Sequence, residues 1–210
     1  MRINVPDNLN DIKLEQYQKL LLPENDNPER YLSILLNVNN VDNFKGFDVE
    51  RYLEKFTNIF KEETPLQMRF TMNGVEYGMI PNLDEITYGE NKDLTKYIND
   101  WATMHRAMAV LFRPIIKKSF DSYLIEPYAG TAKTSEKMKE MPIAVVFGAI
   151  VFFWNLTKDL SNCILNYIKS DVELKQHLQK NGVVIENLMS LPEEIFYDTK
   201  LLRNFPSILA

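Results

Sequence analysis

Two histidines, one cysteine and a junction rich in arginine, lysine and tyrosine are the residues of this chain with chemistry to offer. His105 and His177 lie far apart, and neither stands in an HxxxH or HExxH spacing that would bring two imidazoles to one metal. His105 follows the apolar Met104, where a satisfied core or boundary histidine is the ordinary reading. Cys163 sits alone inside an apolar run, so packing is expected of it rather than nucleophilic attack. Asp84 and Glu85 are adjacent, and a solvated turn accounts for them better than an acid–base pair or a metal site. With only seven glycines, the chain has no GxxxxGK[ST], GxGxxG or GxSxG sequence. No catalytic, cofactor-binding or metal residue is assigned, no cofactor is expected, and no small-molecule substrate is identified.

The junction is "MAVLFRPIIKKSFDSYLIEPYAG", residues 108–130. An apolar helical run meets Arg113-Pro114, two lysines follow, and an aromatic stretch carries a second proline. Two readings stand side by side. In one, the stretch is an internal elbow: Pro114 ends a helix and Arg113 interacts with its free carbonyls. In the other, Arg113, Lys117, Lys118, Tyr123 and Tyr128 form a protein-docking surface, with Phe120 in the same mix. Arginine and tyrosine are enriched at interface hot spots, and prolines stiffen the path.

The elements that must position these residues are mostly helical. "DIKLEQYQKLLL" places Leu14, Tyr17, Leu20 and Leu21 on one face and pairs Glu15 with Lys19. Asn27 caps a second helix with Pro28 at its first position. A third, "DVERYLEKFTNIF", is expected to be capped by Asp48, with Val49, Tyr52, Leu53, Phe56 and Ile59 on one stripe. The pattern then alternates in "QMRFTMNGVEYGMI", where Asn73-Gly74 signals a hairpin, expected to be the only one. Thr87 and Glu90 have capping-box spacing and open a long helix reaching Phe112. "YLIEPYAGTAKTSEKMKEM" reads as a lysine-rich loop. An apolar helix from about Pro142 to Ile168 follows, then "DVELKQHLQK" opened by Ser170 and Glu173, and a last short helix in "LPEEIFYDTKLLRNF". "MRINV" at the start could be a short strand. The fold class is mainly α: one helical domain over 1–210 with one inserted β-hairpin around Asn73-Gly74, a division near 129–140 being left open.

Composition narrows the function. Apolar residues make up 45% of 210, enough for a real core, and the formal net charge is −5. By segment it is −4 over 1–66 (8 basic against 12 acidic residues), 0 over 67–142 and −1 over 143–210. No basic stripe of the kind that follows a phosphate backbone is present, so specific nucleic-acid binding is not expected. The single cysteine precludes an intrachain disulfide and fits synthesis in a reducing compartment. The N-terminus lacks the apolar core of a secretory signal. "MPIAVVFGAIVFFWNL", residues 141–156, is short of the roughly 20 residues a membrane helix needs, and a buried helix is expected there.

Taken together, "LEQYQKLL", "FTMNGVEYGMIPNLDEITYGENKDL", "MHRAMAVLFRPI" with "YLIEPYAGT", and "MPIAVVFGAIVFFWNL" resemble small proteins encoded by tailed double-stranded-DNA bacteriophages, including crAss-like phages of gut Bacteroidetes. The resemblance spans about residues 13–168, with "AVLFRPI" and "YLIEPYAGT" its most specific part. It implies a non-enzymatic virion protein, in the tail, the neck or the internal cargo, made in the bacterial host cytoplasm. Its implied partners are other virion proteins, in a multi-copy ring for example, with no membrane. A tail-assembly chaperone and a host-directed ejected effector or enzyme are the alternatives. No catalytic residues come with the resemblance.

Overall fold

Asn73 and Gly74 both take positive φ, 52° and 75°, and that pair of values organises the middle of the molecule. They make a two-residue turn between strand β1 (Arg69–Met72) and strand β2 (Val75–Met79), with Met72 opposite Val75 and Arg69 opposite Gly78. This computed structural model describes residues 4–120, 122–171 and 180. Within them the fold is mainly α-helical with one β-sheet region between helices.

Three helices precede the sheet: α1 (Leu14–Leu20), α2 (Pro28–Leu35) and α3 (Gly46–Ile59). The Asn27 side chain accepts from Arg30 N–H, as expected of the cap. Helix α3 starts two residues earlier than Asp48, which lies in the first turn and pairs with Arg51 at 2.7 Å. Phe56 and Ile59 are buried, while Val49, Tyr52 and Leu53 pack half-buried on the core. Residues 4 and 5 form no strand, and residues 1–3 lie outside the described ones.

The single long helix expected over 88–112 is two. Helix α4 (Tyr88–Tyr97) opens with the Thr87–Glu90 capping box. A 3₁₀ turn at Trp101–Thr103 follows, and then α5 (Met104–Leu111). The break has a local cause. Asp100 accepts from Ala102 N–H at 2.9 Å, and Thr103 Oγ1 donates to the Tyr97 carbonyl at 2.9 Å. Side chains thus take over groups that a continuous helix would have paired through its backbone.

The elbow after α5 is also different from the expectation. Phe112 is already extended (φ −118°, ψ 123°), and the chain runs directly into strand β3 (Phe112–Lys118). Strand β3 pairs antiparallel with β2 and with β4 (Tyr123–Ile125), giving a four-stranded sheet in the order β1-β2-β3-β4. The Asn-Gly hairpin is therefore not the only one. Pro114 sits within a strand, opposite Tyr77, instead of ending a helix. Its carbonyl accepts from Glu126 N–H at 2.9 Å, so the missing proline N–H falls at the end of the β3–β4 ladder, where it removes little pairing.

Residues 129–140, read from sequence as a lysine-rich loop, carry the one-turn helix α6 (Ser135–Met138). Met138 is fully buried, as are Met104, Met108 and Met141. Helix α7 (Ile143–Ser170) then enters the core. Its start is fixed to α1 by backbone bonds: Ile143 N–H to the Ile12 carbonyl and Leu14 N–H to the Met141 carbonyl, both 2.8 Å. Ile143, Val145, Val146 and Ala149 are fully buried in one hydrophobic cluster that also holds Leu14, Tyr17, Phe56 and Phe112.

Burial stops part-way along α7. Phe152 and Phe153 are half-buried, and Leu156, Leu160, Ile164 and Tyr167 are exposed. Of the buried helix expected over 141–156, residues 143–150 are buried apart from half-buried Phe147, while Val151, Asn155 and Leu156 are exposed; farther along α7, Ile168 is buried again. By length and composition α7 could cross a membrane, with 39% of its most apolar window buried inside the protein. The two C-terminal helices expected from sequence, with His177 and Glu173, lie outside the described residues, except that Ser170 ends α7, Asp171 is extended and Lys180 is helical.

Gly148 marks the tightest approach in the core. A Cβ added there would lie 2.5 Å from the Pro65 carbonyl oxygen, a backbone atom that cannot rotate away. Gly148→Ala is expected to destabilise by about 1–3 kcal/mol through overpacking, despite alanine's better helix propensity. Urea unfolding checks this; an unchanged or raised midpoint would refute the close packing of α7 on residues 64–66.

Candidate functional site

The five residues singled out from sequence do not share one surface. Arg113 and Tyr128 face their own chain, Tyr123 folds over the sheet, and Lys117 and Lys118 are exposed.

Arg113 leaves β3 opposite Gly78 and reaches the first turn of α4. Its Nη1 lies 2.6 Å from Glu90 Oε1, with the two side chains only 11% and 6% exposed. The contact is an ion pair, off the line a hydrogen bond needs, and Nε has no hydrogen-bond partner. The guanidinium also lies over the Tyr128 ring, 5.6 Å from its centroid, a cation–π distance. Tyr128 in turn donates to Asp93 Oδ2 at 2.5 Å, one turn along α4 from Glu90. The helix C-terminus that Arg113 was expected to approach is not its partner. It neutralises a carboxylate at a helix N-terminus instead.

Glu90 is held from both sides. Thr87 donates to Glu90 Oε2 through its backbone N–H at 2.8 Å and its hydroxyl at 2.6 Å. Burial alone would raise the Glu90 carboxyl. The Thr87 hydroxyl and N–H, and then the Arg113 guanidinium, outweigh it and hold the carboxyl below its ordinary value. The Tyr128 phenol moves the other way: burial first, and then the Asp93 carboxylate that accepts its proton, push it up.

Tyr123 is the second anchored aromatic. Its hydroxyl donates to the Met79 carbonyl at 2.8 Å and lies 3.3 Å from that of Met68. Its ring occupies the space a Cβ on Gly78 would need, so the glycine lets the β4 tyrosine reach across to β2. Lys118 pairs with Glu76 on the neighbouring strand.

Besides these anchors, the β3–β4 hairpin turns apolar side chains outward at its turn and along its strands. Phe120 is fully exposed, and Ile116 and Leu124 are 54% and 55% exposed. Leu124 lies opposite Lys117, and the register shifts between Ile115 and Lys117, so Ile116 sits in a bulge. Sequence reasoning placed Phe120 in this stretch but missed Ile116 and Leu124. Their outward direction follows from strand register and the bulge, neither of which a loop reading supplies.

The remaining polar candidates are engaged locally. His105 is buried; Gln18 Nε2 lies 3.2 Å from its Nδ1, and Glu136 lies 3.8 Å from its Nε2. Burial, and then the charge of Lys139, push its imidazole down despite Glu136. Asp84 and Glu85 are exposed in a 3₁₀ turn capped by Asn82, as expected of a solvated turn. Cys163 is exposed on α7, where packing was expected from sequence. Among the described residues no group of three or more His, Cys, Asp or Glu side chains could hold a metal ion. Compared with family models, curated proteins and solved structures, the chain matches none.

The depressed Glu90 carboxyl makes a signed prediction. Its folded-state value lies below the ordinary 4.5, so its contribution is fully present above that pH and is lost as pH falls through the folded value. Wild-type stability should therefore fall more between pH 5 and pH 3 than that of Glu90→Gln, measured by urea unfolding across that range. Parallel acid limbs would contradict the pair.

Proposed function

We propose that this chain is a non-enzymatic bacteriophage virion protein, a tail, neck or internal cargo component, that works through contacts with other virion proteins. The β3–β4 hairpin is its contact surface. The observation that carries the reading is an exposed apolar set: Phe120 at the turn and Ile116 and Leu124 along the strands stand in water beside Lys117, on a hairpin that the Tyr123 side chain anchors to the sheet. Apolar side chains exposed together on one element mark an interaction site where single ones do not, and aromatic residues are enriched among interface anchors. That anchor limits the ordering cost of binding.

The phage context rests on the sequence resemblance over residues 13–168, whose most specific stretches, "AVLFRPI" and "YLIEPYAGT", lie in this same part of the chain. The docking surface is thus narrower than the five-residue set. Lys117 and Lys118 stay on or beside it, Tyr123 supports it from beneath, and Arg113 and Tyr128 belong to the internal cluster.

A paired substitution, Phe120→Ser with Leu124→Ser, separates contact from folding. Both side chains are exposed, so the melting temperature should move little, since surface changes away from special features usually stay within about 0.5 kcal/mol. Incorporation into purified particles, read by quantitative mass spectrometry, should fall at least tenfold, as expected from losing about 1.4 kcal/mol or more of binding. Normal packaging of the variant would overturn the hairpin as the contact. Absence of the wild-type chain from particles, while it associates with tail proteins during assembly, would favour an assembly chaperone.

A further inference from the structure

Strand β1 lies at the edge of the sheet away from the β3–β4 hairpin, with β2 on one side only. The two-residue turn fixes which of its backbone groups face outward. Met72 and Val75 flank that turn, so they form a hydrogen-bonded pair, and Phe70 with Tyr77 is the next. Met79 N–H donates to the Met68 carbonyl at 2.9 Å, which continues the same alternation. Arg69 and Thr71 fall between these pairs. Their N–H and C=O groups therefore point away from β2, and among the described residues nothing bonds to them. Both residues are exposed, while Phe70 and Met72 are buried.

We propose that β1 of a second copy of this chain pairs antiparallel along this edge, with Arg69 of each copy opposite Thr71 of the other. An open edge takes an extended strand, because only a strand supplies N–H and C=O groups at the matching spacing. Register favours a second copy. With Arg69 opposite Thr71, every outward group of both strands finds a partner, and the contact is symmetric about Phe70. With Arg69 opposite Arg69, like charges would face each other and Thr71 would lose its match.

Charge supports the same register. A basic residue on an edge strand ordinarily discourages pairing. Arg69 is in no ion pair among the described residues, and Glu76 lies opposite Thr71 within the chain. In the paired sheet Thr71 stands between Glu76 and Arg69 of the second copy, on one face. Two strand spacings, about 10 Å between backbones, separate the two charges, which long side chains can span. Glu76 then has Lys118 on one side and the second copy's arginine on the other.

Thr71→Pro tests the edge without touching the β1–β2 ladder. Proline removes an outward N–H at a position where edge strands tolerate it. Sedimentation equilibrium of the full-length wild-type chain, from low to high micromolar concentration, should show a monomer–dimer equilibrium. Thr71→Pro should raise the dimer Kd about tenfold or more, with an unchanged far-UV circular dichroism spectrum. Hydrogen exchange of the wild type gives a readout that does not depend on how the variant folds. Its Arg69 and Thr71 amides should exchange more slowly at the high concentration than at the low one. A wild-type chain that stays monomeric at the high concentration would overturn the proposal and leave the edge to a strand of another protein. A dimer that a folded Thr71→Pro leaves intact, or Arg69 and Thr71 amides that exchange equally fast at both concentrations, would overturn it as well.

Discussion

A guanidinium cannot give up its proton inside a protein, so burying Arg113 obliges the fold to bring an anion to it. That obligation links α4 to the sheet. Thr87 caps α4 and thereby fixes Glu90, and Glu90 meets Arg113 on β3. Tyr128 closes over the cation and returns to α4 through Asp93. The start of one helix, the central part of the sheet and the strand-to-α6 connection are thereby held in one relative orientation. The pair need not add much net stability, because desolvating both charges offsets their attraction, and Nε is left without a partner. Its consequence is specificity: with Arg113 turned inward, the rest of the β3–β4 hairpin has a fixed base from which to project.

The inward and outward side chains of that hairpin differ in character for this reason. Tyr123, beside the turn, fills the space over Gly78 and donates to the Met79 carbonyl. Phe120, in the turn itself, stands fully exposed. Helix α7 repeats the contrast on a larger scale. Its first turns are held by backbone bonds to α1 and by the close contact at Gly148, and its later turns show apolar side chains to solvent. Both places combine a rigid mount with an apolar outward face, the combination that lets binding proceed without a large ordering cost.

Local chemistry was legible in the sequence; pairing at a distance was not. Asn73-Gly74, the Asn27 cap with Pro28, and the Thr87–Glu90 box each state their geometry within four residues, and each takes it. "AVLFRPII" was misread because a short apolar run has no periodicity that separates buried helix from buried strand. Phe112 and Ile115 become strand through partners on β2 and β4 that a local window does not contain. The Arg113–Glu90 pair was hidden for the same reason, since the two residues are 23 positions apart. Aromatic and basic residues after Arg113 did point to a contact surface, but strand alternation and the bulge at Ile116 decide which of them face outward.

A double-mutant cycle across Glu90 and Arg113 tests the central claim most directly. Glu90→Gln, Arg113→Met and the pair together would be compared by urea unfolding at pH 7. Each single change strands a buried charge, so each should cost about 3 kcal/mol or more, and the double should be less destabilised than their sum by at least about 2 kcal/mol. Costs that add within about 0.5 kcal/mol would mean that the two side chains do not meet, and the shared anchor of α4 and the sheet would have to be abandoned.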